Sequence, residues 1–490
     1  MDGGRLEEHL KHPVNRGPVP AGALVGSAGG AACGDLVRIA VRVEQGTIAQ
    51  ASFDAHGCAA AIAAGSACVS LIDGARDIDA ARVGVAEIAT ELGGLSPGKL
   101  HAAELASDAL HRALAGRWRS LVEGGRSQPP VGDRVLVAMS GGVDSAVAAL
   151  LTMREGRDVA AVTLKLWADE VGDAEKSCCS PRAVIHARAL AHSLGMPHLT
   201  LDLEPEFRAS VVDDFIAEHE QGRTPNPCVR CNGHVRFDSM LDLGVAIGAH
   251  TLVTGHYARV DDDDEGPLLA PAHDDHKDQT YMLSALRPEL LGRLRFPLAD
   301  MKKPQVRRLA REASLPVADR PESQDLCFLA GTQRERFLAR HGGPMARDGD
   351  VVNSRGAVIG RHGGYSRFTV GQRRGLGVAH HEPLFVLATD ARTNRVIAGT
   401  RRELATRTVA LAPVTLHRGG DRIARVKLRY RSSPVACTSV DRLDAGFHRR
   451  VELSLSDDVL GVAPGQVACL LDSRDRVIGH GVIDASAVAA

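Results

Sequence analysis

Cys228 and Cys231 stand three positions apart in Thr224-Pro225-Asn226-Pro227-Cys228-Val229-Arg230-Cys231-Asn232, and Cys327 lies in Ser323-Gln324-Asp325-Leu326-Cys327-Phe328. A thiolate is both a strong nucleophile and a soft metal ligand. The set therefore suits nucleophilic sulfur chemistry, a disulfide, zinc or an iron–sulfur centre. A second stretch able to do chemistry is Ser140-Gly141-Gly142-Val143-Asp144-Ser145, which follows an apolar run and opens a helical one. Glycines there admit an anion to the backbone, and the free N–H groups at a helix start point towards it. Ser140 and Ser145 add hydroxyls, and Asp144 is placed to hold Mg2+ or to orient the loop. No GxxxxGK[ST] occurs, which excludes the usual phosphate loop of GTPases and kinases.

The elements around these residues change character along the chain. Leu36 to Val43 alternates as a strand does, a second strand is expected around Ile48 to Phe53, and Ala59 to Ile72 reads as a buried helix. A further helix runs from Lys99 through Trp118. The Gly/Pro/Ser stretch from Glu123 to Asp133 reads as a linker. Beyond it, strands at 135–138, 159–166 and 251–254 alternate with helices, the pattern of a parallel sheet covered on both faces. The acidic run at 261–265 reads as a solvated loop, and short strands between Gly-rich turns dominate after about Gly331. The expected units are 1–120, a linker over 121–133, a catalytic unit over 134–330, a small β unit over 331–402 and a β-barrel over 403–490.

The 490 residues carry 59 Lys+Arg against 60 Asp+Glu, a balance that excludes a generally basic DNA-coating protein. No apolar run reaches the ~20 residues of a membrane helix, and the polar start MDGGRLEEHLKH is unlike a secretory signal. A cytoplasmic protein is expected, with neither DNA nor membrane as partner. Ten cysteines are too few and too unevenly spaced for a disulfide scaffold. Cys68, Cys178, Cys179, Cys437 and Cys469 lack chemical neighbours and are expected in core or loop positions.

SGGVDS resembles the pyrophosphate loop of the ATP-pyrophosphatase superfamily, whose members adenylate an oxygen and release pyrophosphate. The cysteine segments narrow this further. Together with Thr254-Gly255-His256-Tyr257-Ala258-Arg259, Lys277-Asp278-Gln279-Thr280-Tyr281 and GQRRGLG at 371–377, they resemble the tRNA-specific 2-thiouridylases, over roughly 134–483. The resemblance implies a Rossmann-like α/β catalytic unit, with ATP and Mg2+ bound by Ala138, Met139, Ser140, Gly141, Gly142, Val143, Asp144, Ser145, Leu164 and Gly255. It implies that Cys327 carries sulfur as a persulfide and that Cys231 is the partner nucleophile. It also implies tRNA contacts by Asn226, Pro227, Cys228, Lys277, Asp278, Gln279, Arg429 and Tyr430, with a cysteine desulfurase or another donor supplying sulfur. Adenylation would turn uracil O2 into a good leaving group, so that a thiolate or persulfide can attack C2. The family commonly has Asp at the position of Cys228. The departure removes a carboxylate and creates a three-thiolate set, Cys228, Cys231 and Cys327. Such a set suits a [4Fe–4S] cluster with one open iron, with persulfide chemistry as the alternative.

The first unit resembles the iron–sulfur scaffold proteins of the IscU/NifU type, an α+β fold, over about Glu8 to Leu114. Cys33, Asp35, Cys58 and His101 match that family's metal ligands, while Ala102 stands where its third cysteine is found. Fusion through a short linker would raise the local concentration of one unit at the other, the expected reason being delivery of sulfur or a cluster in cis. Residues 401–450 hold twelve Lys/Arg against four Asp/Glu, and Arg422, Arg425, Lys427, Arg429 and Arg431 alternate, so one basic strand face is expected for phosphate contacts. Two other readings account for part of the chain: another adenylating ligase of the superfamily, and an iron–sulfur carrier with a silent ATPase region.

Overall fold

The computed structural model describes residues 3–30, 34–167, 181–321, 326–329, 331–439 and 442–485. Cys33, Cys178, Cys179 and Ser323-Gln324-Asp325 lie outside them.

At the N terminus, strands β1 (Leu24–Gly29), β2 (Leu36–Glu44) and β3 (Thr47–His56) form an antiparallel sheet in that order. Helices α1 (Gly3–Lys11), α2 (Ala59–Ile72) and α3 (Leu100–Glu123) accompany it. The Ala-rich α2 buries ten of its fourteen residues, because small side chains let it approach its neighbours closely all round. The 24-residue α3 is amphipathic on two sides and buries Ala106, Leu110, Leu114, Trp118 and Leu121.

The catalytic unit is a five-stranded parallel sheet. Its strands are β4 (Val135–Ala138), β5 (Val159–Lys165), β6 (His198–Asp202), β7 (Thr251–Val253) and β10 (Leu294–Arg295), in the order β10-β7-β4-β5-β6. Period-two alternation divides the strand residues between two cores. Val135, Val137 and Ala161 face helices α4 (Val143–Arg154), α5 (Pro181–Ser193) and α8 (Lys303–Glu312). Leu136, Ala160, Val162, Leu164, Leu199 and Leu201 face the other way, into one continuous core with α7 (Phe237–Ala246) and with α3 of the N-terminal unit. The doubly wound arrangement expected from the alternating strands and helices is present, with one of its covering helices supplied from outside the unit.

The linker expectation needs correction. The helix α3 continues to Glu123, and the exposed stretch after it is pinned: Gln128 N–H donates to Val245 O (3.1 Å), His250 Nε2 meets Gln128 O (3.0 Å) and Val131 N–H donates to Gly248 O (3.0 Å). Short length and backbone pairing make this a strap, not a free tether.

The β strands of the last third form two sheets. Strands β11 (Gly349–Asn353), β12 (Val358–His362), β13 (Phe385–Asp390) and β14 (Arg395–Gly399) pair as β12-β11-β14-β13. Strands β15 (Ala405–Leu416), β19 (Val451–Leu460), β17 (Val435–Ser439), β16 (Arg425–Lys427), β20 (Val467–Leu471) and β21 (Val477–Ile483) pair in that order, and β15 pairs again with β21, closing a six-stranded barrel. Short β18 (Gly446–His448) joins at β15. The hairpin of β8 (Arg259–Asp263) and β9 (Gly266–Ala270) extends the barrel sheet from the catalytic unit. The acidic run 261–265 is thus part of a hairpin rather than a solvated loop. Asp263 accepts from Arg418 (2.8 and 3.0 Å) and Arg422 (2.7 Å), and these guanidiniums hold its carboxyl well below the usual carboxylate range.

Candidate functional site: a nucleotide cleft beside paired cysteines

The Gly-rich loop lies where the sheet topology puts it, between the carboxyl end of β4 and the first turn of α4. Ser145 Oγ donates to Gly142 O (3.0 Å) and meets Ser140 Oγ (3.3 Å), so one hydroxyl braces the loop and Ser140 faces the cleft. The cleft, about 430 Å³, is lined by every residue from Ala138 to Ser145 and by Leu164 and Gly255. The ten positions expected to bind ATP are therefore brought together. Gly255 has no room for a side chain: a Cβ there would stand 2.6 Å from the backbone of Asp144 and Ser145, so the β7 exit packs directly on the start of α4.

Lys303, Tyr257, Arg320, Arg236, His256 and His276 also line the cleft; His256 and Tyr257 belong to the motif from Thr254 to Arg259, which implies no role for them, and Lys303, Arg320 and His276 lie in no motif. Lys303 Nζ lies 2.8 and 2.7 Å from the two oxygens of Asp144, and Tyr257 OH donates to the same carboxylate (3.0 Å). Among the described lining residues, Asp144 is the one carboxylate. Arg320 Nη1 donates to Gly141 O (3.1 Å) within the loop itself. A bound triphosphate would meet cations from three separate segments. Burial lowers the pKa of His256 to about 3, so its imidazole is neutral at physiological pH and meets Thr254 Oγ1 (2.9 Å).

Residues expected to touch tRNA divide into two sets. Lys277, Gln279 and Tyr430 line the nucleotide cleft. Asp278 turns inward instead, accepting from Ala272 N–H (3.2 Å) and Thr280 Oγ1 (2.5 Å). Asn226 caps helix α6 (Pro227–Cys231) by accepting from Val229 N–H (3.2 Å), and Pro227 is buried at the first helical position. Asn226 itself stays half-buried at the helix start. Arg429 donates to the carbonyls of Gly461 and Val370, which ties the barrel to the small β sheet. The single basic strand face does not form: Arg422 pairs with Asp263 and Glu265, Arg425 with Asp475, and Lys427 lies 3.8 Å from Asp278. Arg431 alone of that series lines the cleft.

Cys228 and Cys231 sit on α6, three residues apart and hence on neighbouring positions of one face. Cys231 is buried, and Cys228 and Cys327 are half-buried. Cys231 belongs to the core against which Cys327 packs. Phe328, next to Cys327, contacts Phe207, Phe215 and Phe337, and Phe207 ends the short helix Glu204–Phe207 that follows β6. This places Cys327 at the carboxyl end of the sheet, the end that also holds the cleft. The proline-rich loop before α6 is braced by the barrel through Gln466 Nε2 to Thr224 O (2.8 Å) and Thr224 N–H to Pro464 O (2.8 Å). Cys68, Cys437 and Cys469 are set apart chemically, since burial pushes their thiols up to about 12, 11 and 12.

In the N-terminal unit, Asp35, Cys58 and His101 gather with one ligand atom each within 4.8 Å. Asp35 Oδ2 accepts from Cys58 Sγ (3.1 Å) and meets His101 Nε2 (3.2 Å), while Oδ1 accepts from Cys58 N–H (2.9 Å). The hydrogen bonds from Cys58, thiol before amide, hold the Asp35 carboxyl below its ordinary range. Gly57, at φ +131°, lets the chain pass against that carboxylate. Ala102 is fully buried and offers no ligand. The other described group of this kind, His380, His381 and Glu382, is consecutive and fully exposed.

A parallel sheet with an anion-binding loop at its carboxyl end, a cationic cleft and half-buried thiols beside it define a nucleotide-binding enzyme of the HUP class joined to an iron–sulfur-scaffold-like unit. Family models agree: "tRNA methyl transferase HUP domain" matches 133–331, "NifU-like N terminal domain" 3–119, "tRNA methyl transferase PRC-barrel domain" 335–400 and "Aminomethyltransferase beta-barrel domain" 411–483. The bifunctional protein NifU/MnmA of Rubrobacter xylanophilus is 44% identical over 98% of both chains. The tRNA-specific 2-thiouridylase MnmA of Acidithiobacillus ferrooxidans is 42% identical over 71% of this chain and 98% of its own length, and that of Geobacter metallireducens 41% over 72% and 97%. The chain belongs to the tRNA-specific 2-thiouridylase family, in its form with a NifU-like N-terminal domain. No described helix is long and apolar enough to cross a membrane.

Proposed function

We propose that the protein uses ATP to convert the wobble uridine of tRNA to 2-thiouridine. The observation that carries this reading is the composition of the cleft. Phosphate-loop residues, Lys277 and Gln279, and Tyr430 and Arg431 from the turn between β16 and β17 of the barrel line one space, so a nucleotide and a base presented from the barrel side would meet there. The loop amides and Lys303 hold the phosphates, and Arg320 steadies the loop. Asp144, the lining carboxylate, would take Mg2+ once Lys303 turns to a phosphate. Uracil O2 attacks the α-phosphorus, pyrophosphate leaves, and AMP then leaves C2 as sulfur arrives.

Sulfur enters from the thiol side. In the persulfide route, the terminal sulfur on Cys327 attacks C2 and the Cys231 thiolate attacks the Cys327 sulfur, releasing thiouridine and leaving a disulfide. Three thiolates such as Cys228, Cys231 and Cys327 are the donor type of an iron–sulfur cluster, which when bound would supply an open iron for sulfide, although among the described residues they are not gathered within 4.8 Å as Asp35, Cys58 and His101 are. Asp35, Cys58 and His101 supply mixed O, S and N donors suited to zinc or a labile cluster. Unmodified tRNA and ATP are incubated without oxygen with apo-protein and with protein reconstituted with iron and sulfide, each supplied either with a cysteine desulfurase and cysteine, which load a persulfide, or with sulfide alone, and nucleosides are read by mass spectrometry. Thiouridine from the apo-protein with desulfurase and cysteine but not with sulfide alone supports the persulfide route, and from the reconstituted protein alone the cluster route. Absence from both, with tRNA-independent pyrophosphate release, would overturn the reading in favour of another adenylating ligase.

A further inference from the structure

The N-terminal unit and the catalytic sheet meet along α3 rather than through the strap. Arg119, near the end of α3, donates to Asp202 O (2.7 Å) and to Glu206 (2.7 Å), at the carboxyl end of edge strand β6. At the other end of that strand, Ala81 O accepts from His198 N–H (3.0 Å), and His111 lies edge-on to His198 with ring centroids 6.3 Å apart. Arg82 donates to Gly195 O (2.6 Å), just before β6. Asp108 and Arg188, with side chains 14% and 7% exposed, form an ion pair at 2.8 Å across the same interface. The hydrophobic core runs without a break from Leu110, Leu114 and Trp118 to Leu199 and Leu201. The helix therefore runs alongside β6 in the strand's own direction.

His101 lies eighteen residues before Arg119 on one uninterrupted helix, about 27 Å at 1.5 Å per residue. Cys327 and the phosphate loop occupy the Arg119 end. Even allowing for the reach of the Arg119 side chain, Asp35, Cys58 and His101 open at the far end of the sheet.

We propose that the N-terminal unit is a fixed layer of the catalytic unit, with α3 sealing β6, and that its Asp35/Cys58/His101 site exchanges sulfur or metal with a separate molecule and not with Cys228, Cys231 or Cys327 of the same chain. This replaces the expectation of delivery in cis. Its consequence for sulfur rests on the thiolation reading, whereas the placement does not.

Two experiments on the full chain decide it. The first mixes chains grown with natural and with heavy nitrogen and treats them with a short bis-maleimide that cannot span the offset. Mono-adducts at Cys58, Cys228 and Cys327 show that each thiol reacts. The expected result is no excess of same-isotope over mixed-isotope links between Cys58 and either partner, and such an excess would overturn the proposal whether or not the protein thiolates tRNA. The second follows hydrogen exchange in Asp108→Lys and Arg188→Ala, which strike the interface from opposite sides. Both are expected to lower protection of 81–84 and 198–202 together, by roughly tenfold. Loss confined to the mutated unit in both variants would show a tethered module and overturn the fixed layer.

Discussion

Lys303 reaches Asp144 across 159 positions of sequence and places a buried ammonium on the loop proposed to hold phosphate. A charge-assisted hydrogen bond of this kind contributes about 1.5–3 kcal/mol. Lys303→Ala is expected to lower kcat/KM for tRNA-dependent pyrophosphate release by about 10- to 100-fold, and Lys303→Arg by less. Equal rates for wild type and the alanine variant would remove Lys303 from the site. The thiols differ as sharply. Cys68 and Cys469, buried and pushed up to about 12, are expected to resist iodoacetamide in the native chain at pH 8, whereas the exposed Cys58 is modified. Peptide mass spectrometry before and after denaturation reads the difference. SGGVDS was legible from the chain alone because its function needs consecutive residues. Lys303 was not, because its partner is chosen by the packing of α8 against α4.

At the scale of elements, two contacts set the catalytic geometry. The exit of β7 packs on the backbone of α4 at Gly255, so Gly255→Ala forces either backbone apart. Adenylation is expected to fall by at least about tenfold, with thermal stability lowered by roughly 1–3 kcal/mol; unchanged pyrophosphate release would show that the approach is not required. The second contact is α3 against β6. Leu114 is fully buried in the core that both units share, so Leu114→Ala is expected to cost about 2–5 kcal/mol. Calorimetry should show one transition moving as a whole. Two transitions, of which only one shifts, would mean that the units melt independently. The period of α3 announced a helix, but a sequence cannot say that a helix has two apolar partners in different units.

For the whole molecule, acid is the informative perturbation. Desolvation brings buried His219 and the half-buried His417 and His480 to pKa values of about 4 and His256 to about 3, and it also lowers His111, His192 and His198 at the interface. A histidine whose folded pKa lies below its unfolded value of about 6.5 is held neutral by the fold. The stability this gives is complete above that pH and is lost as pH falls towards the folded pKa, because the unfolded chain binds the proton first. The melting temperature is therefore expected to hold from pH 8 to about 6.5 and to drop steeply between 6.5 and 4, with protection at 81–84 and 198–202 falling in the same window. A flat melting temperature over that range would contradict the burial of these rings.

The sequence by itself determined the class of chemistry, because phosphate binding by a Gly-rich loop and sulfur transfer by motif cysteines depend on local residue order, and because alternating strands and helices compel a parallel sheet. It also picked out Asp35, Cys58 and His101, which the fold gathers within 4.8 Å, and the gap at Ala102. Tertiary structure decided the rest. The apparent basic stripe from Arg422 to Lys427 dissolved into ion pairs with Asp263, Glu265 and Asp475, since charges far apart in the chain neutralise one another only when folding brings them together. Asn226 became a helix cap, and a linker became a strap. The separation of the two sites follows from α3, whose rigid rise of 1.5 Å per residue converts eighteen positions of sequence into a distance that no local pattern reveals.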